Sequence, residues 1–103
     1  TPLHTDEAFC PILAVLPVAS DSEATRVHNT SPYGLTASIF TTAADRFDAI
    51  GDKLAVGNLY QNLPTTFAPS TLPFGGHGLS GNGKPGARGF IRYCADEQAV
   101  QFG

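Results

Sequence analysis

The stretch Leu72-Pro73-Phe74-Gly75-Gly76-His77-Gly78-Leu79-Ser80-Gly81-Asn82-Gly83 limits the possible folds more than any other, because five of its twelve residues are glycine. No helix or strand interior tolerates that density, since each ordered glycine gives up backbone entropy and has no side chain to pack. A folded chain keeps such a stretch where the backbone takes positive φ or lies closely against something. Phe74 stands out within it as one large apolar ring followed by two residues without Cβ atoms. That suits the wall of a pocket; the alternative is a surface turn carrying an incidental aromatic. A phosphate loop is excluded. Gly81-Asn82-Gly83-Lys84 lacks the Gly-Lys-Ser/Thr ending and opens no long amphipathic helix. His77 has no nucleophile or orienting carboxylate beside it in the sequence and reads as an exposed loop residue.

The rest of the chain alternates. Ile12-Leu13-Ala14-Val15-Leu16, between Pro11 and Pro17, is a continuous apolar run that suits a strand buried on both faces. Ser20-Asp21-Ser22-Glu23 is a capping box. It opens a short helix with a narrow stripe of Ala24, Val27 and His28, ended by Asn29 and Thr30 and barred from continuing by Pro32. Tyr33-Gly34 then turns the chain. Leu35 to Phe40 alternates with period two and predicts a strand. Thr41 or Thr42 is expected to cap the next helix, where Ala43, Phe47, Ile50 and Leu54 share one face. Val56 to Asn62 predicts a further strand. This order predicts an α/β fold with a parallel sheet and right-handed crossovers. Ligands in such sheets sit beyond the carboxyl ends of the strands, where Asn62 leads toward Phe74. Gly89 to Ala95 reads as a short helical turn, and Gln98 to Phe102 as an edge strand.

Length and charge bound the reading further. A chain of 103 residues makes one small domain. Only 15% of residues are charged against 42% hydrophobic, a low charge that implies a surface partly covered by other protein. A net charge of −3 with no basic run argues against nucleic acid as a partner. No apolar run reaches the roughly 20 residues of a membrane span. No signal-peptide pattern is present, and a cytoplasmic location is expected. Cys10 and Cys94 lack metal-ligand spacing and read most simply as two thiols, with a disulfide left open. No metal site is expected, and His28 has no partner at ligand spacing.

Three motifs together carry a family resemblance. Pro73-Phe74-Gly75-Gly76, followed by Ser80-Gly81, resembles the Pro-Phe-Gly-Gly…Ser-Gly loop near the C-terminus of NAD(P)-dependent aldehyde dehydrogenases. Asp6-Glu7-Ala8-Phe9-Cys10-Pro11 resembles the Glu-Glu-Ile-Phe-Gly-Pro segment of that family. Asn29-Thr30-Ser31-Pro32-Tyr33-Gly34-Leu35 resembles its Asn-x-x-x-Tyr-Gly-Leu turn. The three fall in register over nearly the whole chain. Thr65-Thr66-Phe67-Ala68-Pro69-Ser70-Thr71 resembles branches acting on semialdehydes that carry a carboxylate, succinylglutamate semialdehyde dehydrogenases among them.

The resemblance implies roles. Glu7 would accept hydrogen bonds from the ribose hydroxyls beside the nicotinamide of NAD or NADP, with Phe9 near the ring. From the residues alone, these are a solvated carboxylate and a core aromatic. Phe67 and Phe74 would wall the aldehyde tunnel. Thr66 and Ser70 would hold a substrate carboxylate, although hydroxyls in such loops also bond their own backbone. Cys10 stands where the family has glycine, which leaves the local backbone angle open. Residues 1–88 would be the end of the catalytic domain and residues 89–103 an oligomerisation segment, in a homodimer or homotetramer. The nucleophilic cysteine, the catalytic glutamate, the oxyanion asparagine and the dinucleotide-binding fold would lie upstream. No catalytic residue is then expected here, and the chain by itself is expected to be inactive. Thr1-Pro2-Leu3-His4-Thr5 does not read as a natural start, and a piece of a longer polypeptide is expected. The alternative is a non-catalytic α/β interaction or assembly module.

Overall fold

Ser20 starts the first element of the computed structural model, which describes residues 5–81 and 83–103. The first four residues and Asn82, part of the opening segment and of the glycine-rich loop read above, lie outside the described residues. Ser20 is extended, and its hydroxyl accepts from the Glu23 amide at 3.2 Å, which fixes the start of helix α1 at Asp21–Asn29. The Glu23 carboxylate reaches back to the Ala19 amide at 2.9 Å, one residue further than a standard capping box. Acidic residues in the first turn and Arg26 and His28 in the last complement the helix dipole.

After α1 come strands β1 (Tyr33–Gly34) and β2 (Thr36–Ile39), helix α2 (Ala44–Gly51), strands β3 (Asn58–Gln61) and β4 (His77–Gly78), and helix α3 (Phe90–Cys94). Strands β2 and β3 pair in parallel, with Thr36 opposite Asn58 and Ile39 opposite Gln61, and α2 is the crossover between them. This is the expected α/β arrangement in its smallest form. Phe47, Ile50 and Leu54 are half-buried, as their helical spacing predicts. The cap of α2 differs from expectation. Ala43 holds the N-cap position without a side-chain bond, while the Thr41 hydroxyl accepts from the Ala43 amide at 3.2 Å and shapes the turn before the helix. Arg46 on α2 grips both carboxylate oxygens of Asp21 on α1, at 2.6 and 2.8 Å. That fork holds the Asp21 carboxyl below the usual carboxylate range.

Two asparagines replace missing backbone partners. Asparagine places an acceptor and a donor side by side, as a peptide group does. Asn29 accepts from the Ala55 amide at 2.9 Å and donates to the Lys53 carbonyl at 2.7 Å. It thereby ties the end of α1 to the approach to β3. Asn62, in the left-handed region at φ 54°, takes both backbone groups of Thr41 at 2.9 Å and ties the end of β3 to the exit of β2.

Three expectations are corrected. Tyr33 and Gly34 form more than a turn: they pair antiparallel with His77 and Gly78. Ile12 to Leu16 forms no strand, and Leu13 is 86% exposed. Gln98 to Phe102 forms no strand either. The reason is common to both runs. A strand needs a neighbour for its amides and carbonyls and a cover for its apolar face, and among the described residues the strand pairings, β1 with β4 and β2 with β3, take in neither run. The exposure shows in the dimensions. The radius of gyration is 17.1 Å, against about 13 Å for a compact domain of this length. The accessible surface is 8010 Å², against roughly 5,500 Å² for a compact protein of this mass.

Candidate functional site

Two cavities border the glycine-rich loop. The larger, about 590 Å³, lies between the segment from Asp6 to Ala14 and the strands β1 and β2. Its far wall is built by the β1–β4 pairing, which carries the loop across the molecule. There the Leu79 amide donates to the Pro32 carbonyl at 2.9 Å, and the Gly34 amide donates to the Ser80 hydroxyl at 3.1 Å. Glu7 and Phe9 line this cavity with Tyr33, Thr36 and Ser80. Both are exposed, and Phe9 at 89% borders an open trough rather than a closed core. Phe9 sits at φ 47°, a region that bulky side chains rarely adopt. The left-handed residue is therefore Phe9, beside the Cys10 that replaces glycine in the family motif.

The second cavity, about 240 Å³, is apolar. The structure brings Phe67 and Phe74 into one lining, with Tyr60, Leu63, Pro69 and Leu72. Thr66 and Ser70 are exposed and lie outside it. The position of the cavity differs from expectation. It runs along β3 from Asn58 to Leu63, so Phe74 stands near the amino end of the strand rather than beyond its carboxyl end. The loop doubles back because it turns twice, with the Phe67 amide bonded to the Pro64 carbonyl and the Leu72 amide to the Pro69 carbonyl, both at 3.2 Å.

What holds the returning loop is a set of residues the sequence reading passed over. Asn58 donates to the Pro73 carbonyl at 2.9 Å and accepts from the Gly75 amide at 3.1 Å. The Lys84 ammonium donates to the Gly57 carbonyl at 2.6 Å. Gly57 and Gly75 lie backbone against backbone, and a Cβ on Gly57 would strike the Gly75 carbonyl oxygen. The one sequence signal was an asparagine at the start of a strand, where β-propensity disfavours it. The Tyr60 hydroxyl is buried with no hydrogen-bond partner among the described residues, a state folded proteins rarely leave.

The chemistry of the two cavities is distinct. The first offers two carboxylates, Asp6 and Glu7, and hydroxyls in an open trough, suited to a polar, hydroxyl-bearing ligand. The second offers a mainly apolar, aromatic wall, suited to an apolar body.

Such an α/β frame has counterparts among solved structures. The chain belongs to the aldehyde dehydrogenase family, whose pattern it matches over residues 1–100. It is 38% identical over 90 residues to N-succinylglutamate 5-semialdehyde dehydrogenase 2 of Caulobacter vibrioides, a match over 87% of this chain and 19% of that protein. A salicylaldehyde dehydrogenase from Pseudomonas putida G7, solved with salicylaldehyde, superposes with a TM-score of 0.83 at 28% identity, over 88% of this chain and 19% of its own. The 1-pyrroline-5-carboxylate dehydrogenase from Thermus, solved with bound NAD, superposes with a TM-score of 0.74 at 36% identity, over 79% of this chain and 16% of its own. The chain thus spans about a fifth of the length of the curated relatives it matches. No helix among the described residues is long and apolar enough to cross a membrane.

Proposed function

We propose that this chain is the C-terminal portion of an NAD(P)-dependent aldehyde dehydrogenase that oxidises an aldehyde to the carboxylic acid. The observation that carries the reading is the family match over residues 1–100 on a chain about a fifth as long as its relatives. The exposed surface supports it. A two-stranded parallel sheet is rarely stable alone and normally lies inside a larger, covered sheet. The bare apolar run from Ile12 to Leu16 is surface that the rest of such a protein would cover.

In this reading Glu7 accepts the ribose hydroxyls of NAD or NADP and Phe9 shields the nicotinamide from water. Phe67 and Phe74 wall the aldehyde site. Thr66 and Ser70 face a carboxylate on the substrate, which would be a semialdehyde, as in the Caulobacter relative. Residues 1–88 complete the catalytic domain, and residues 89–103 serve assembly into a dimer or tetramer in the cytoplasm. The nucleophile and the dinucleotide-binding fold belong to the rest of the parent polypeptide.

The test is to isolate the parent polypeptide with an antibody to this segment and assay it with NAD and NADP on propanal, benzaldehyde and succinic semialdehyde. Turnover is expected from the parent, with a raised cofactor KM in Glu7→Gln, and none from the pure 103-residue chain. Steady turnover by that chain, or an inert parent, would refute the reading.

A further inference from the structure

We propose that Asn58 is a positioning residue for the substrate wall: its side chain holds the backbone on both sides of Phe74 and so sets where that ring stands in the apolar cavity. The inference rests on the reading of Phe74 as substrate wall given above. Its geometry stands apart from that reading. The carbonyl of Pro73 and the amide of Gly75 flank Phe74, and Asn58 takes both, at 2.9 and 3.1 Å. Asn58 is itself fixed, because its own amide donates to the Leu35 carbonyl at 3.0 Å at the start of the parallel pair. The sheet therefore bears directly on the ring position through one side chain.

No other described side chain bonds the backbone between Leu72 and Gly76. The loop there is poor in side chains, so packing alone does not fix it. Gly75 and Gly76 have no Cβ, and Pro73 has no amide. Lys84 supports the same region from one position back, its side chain bonding the Gly57 carbonyl at 2.6 Å rather than the peptide groups flanking Phe74. An asparagine suits the place because its amide group sets an uncharged acceptor and donor on separate atoms side by side, as a peptide group does. Aspartate keeps the acceptor for Gly75 and loses the donor for Pro73.

The consequence is a specific split in kinetics. Removing two hydrogen bonds that hold the ring should raise the aldehyde KM about tenfold, leave the cofactor KM unchanged, and add nothing once the ring itself is gone. The experiment uses the intact parent dehydrogenase with Asn58→Ala, Asn58→Asp, Phe74→Ala and the Asn58→Ala/Phe74→Ala double variant. Aldehyde and cofactor KM are measured with propanal and benzaldehyde, and hydrogen exchange is followed in peptides spanning residues 72–76 and 36–39. Expected results are a raised aldehyde KM in Asn58→Ala, an intermediate value in Asn58→Asp, and a double variant no worse than Phe74→Ala. Exchange should quicken in residues 72–76 and stay unchanged in residues 36–39, which also shows that the variant is folded. Wild-type KM and wild-type exchange in Asn58→Ala overturn this inference while a raised KM in Phe74→Ala leaves the wall reading standing. An unchanged aldehyde KM in Phe74→Ala refutes the wall reading, and the inference falls with it. Quickened exchange in both peptides marks a general loss of structure and overturns the positioning role.

Discussion

Replacing Gly57 by alanine probes the contact on which the glycine-rich loop depends. A Cβ there would sit on the Gly75 carbonyl oxygen, 2.7 Å from the Gly75 carbonyl carbon and 2.9 Å from the Gly76 Cα. Ordinary contact begins near 3.4 Å, so clearing the carbonyl oxygen requires the loop backbone to retreat by more than about 1.5 Å. The neighbours are backbone atoms and cannot swing aside as a side-chain tip would. That retreat takes the Asn58–Gly75 bond from 3.1 Å to beyond hydrogen-bond range and strains the Lys84 bond to the Gly57 carbonyl. One bond lost at about 1 kcal/mol, with overpacking strain of about 1–3 kcal/mol, gives a destabilisation of about 2–4 kcal/mol. Gly89→Ala is the matched control. Its φ of −72° and ψ of −16° suit any residue, and its nearest neighbour is the Lys84 carbonyl oxygen at 3.4 Å. That variant should be neutral or up to about 0.5 kcal/mol more stable. Urea unfolding followed by far-ultraviolet circular dichroism compares the two. A Gly57→Ala protein within about 0.5 kcal/mol of the parent would refute the backbone-on-backbone packing.

Three further outcomes are expected. Asp21→Asn removes the fork to Arg46, and its deficit should be greatest at neutral pH. Asp21 titrates below its ordinary 3.8 when folded, so the pair's stabilisation is present above that value and fades as pH falls through the depressed one. Arg46, pushed up by the same partner, stays protonated throughout. Denaturation midpoints of both proteins between neutral pH and the acid limb check this, and a deficit that grows in acid contradicts it. Ser20→Ala should lose about 1 kcal/mol with the N-cap, read as reduced helicity and a lower melting temperature. Asn62→Ala should be more destabilising than Asn62→Gly, because both lose the bridge to Thr41 but only alanine strains at φ 54°; the reverse order of melting temperatures would contradict that account.

The local elements were legible because their causes are local. Ser20 and Glu23 announced α1, the apolar spacing of Phe47, Ile50 and Leu54 announced α2, and the alternation around them gave the parallel pair. Phe67 and Phe74 were joined only through the family resemblance, and both line one cavity. What escaped depends on the return path of the chain. The pairing of Tyr33-Gly34 with His77-Gly78 has a two-residue register, too short for any periodic signal. The clamp by Asn58 is a side chain meeting backbone fifteen or more residues away, and nothing in local spacing encodes it. The runs from Ile12 to Leu16 and from Gln98 to Phe102 have strand-forming composition, yet composition supplies only half of a strand.

The glycines and the bare apolar runs have one explanation. In most domains a loop is held by burying its side chains against a core. Here the loop from Leu72 to Lys84 is held by backbone meeting backbone, Gly57 against Gly75 and Gly75 against Gly83, with Asn58 and Lys84 bonding the peptide groups between. A loop fixed in that way leaves its large side chain, Phe74, free to face a cavity instead of being consumed as an anchor. The same economy removes most of the core this chain would otherwise have, which is why Tyr60 is its buried hydrophobic residue among those described. Precision at the cavity therefore comes from hydrogen bonds to the β2–β3 pair, and the remaining stability must come from whatever covers Leu13, Val15 and Phe102. In a family whose members are several times longer than this chain, that division of labour is physically consistent: a polar clamp sets where Phe74 stands, and further protein would supply the hydrophobic cover.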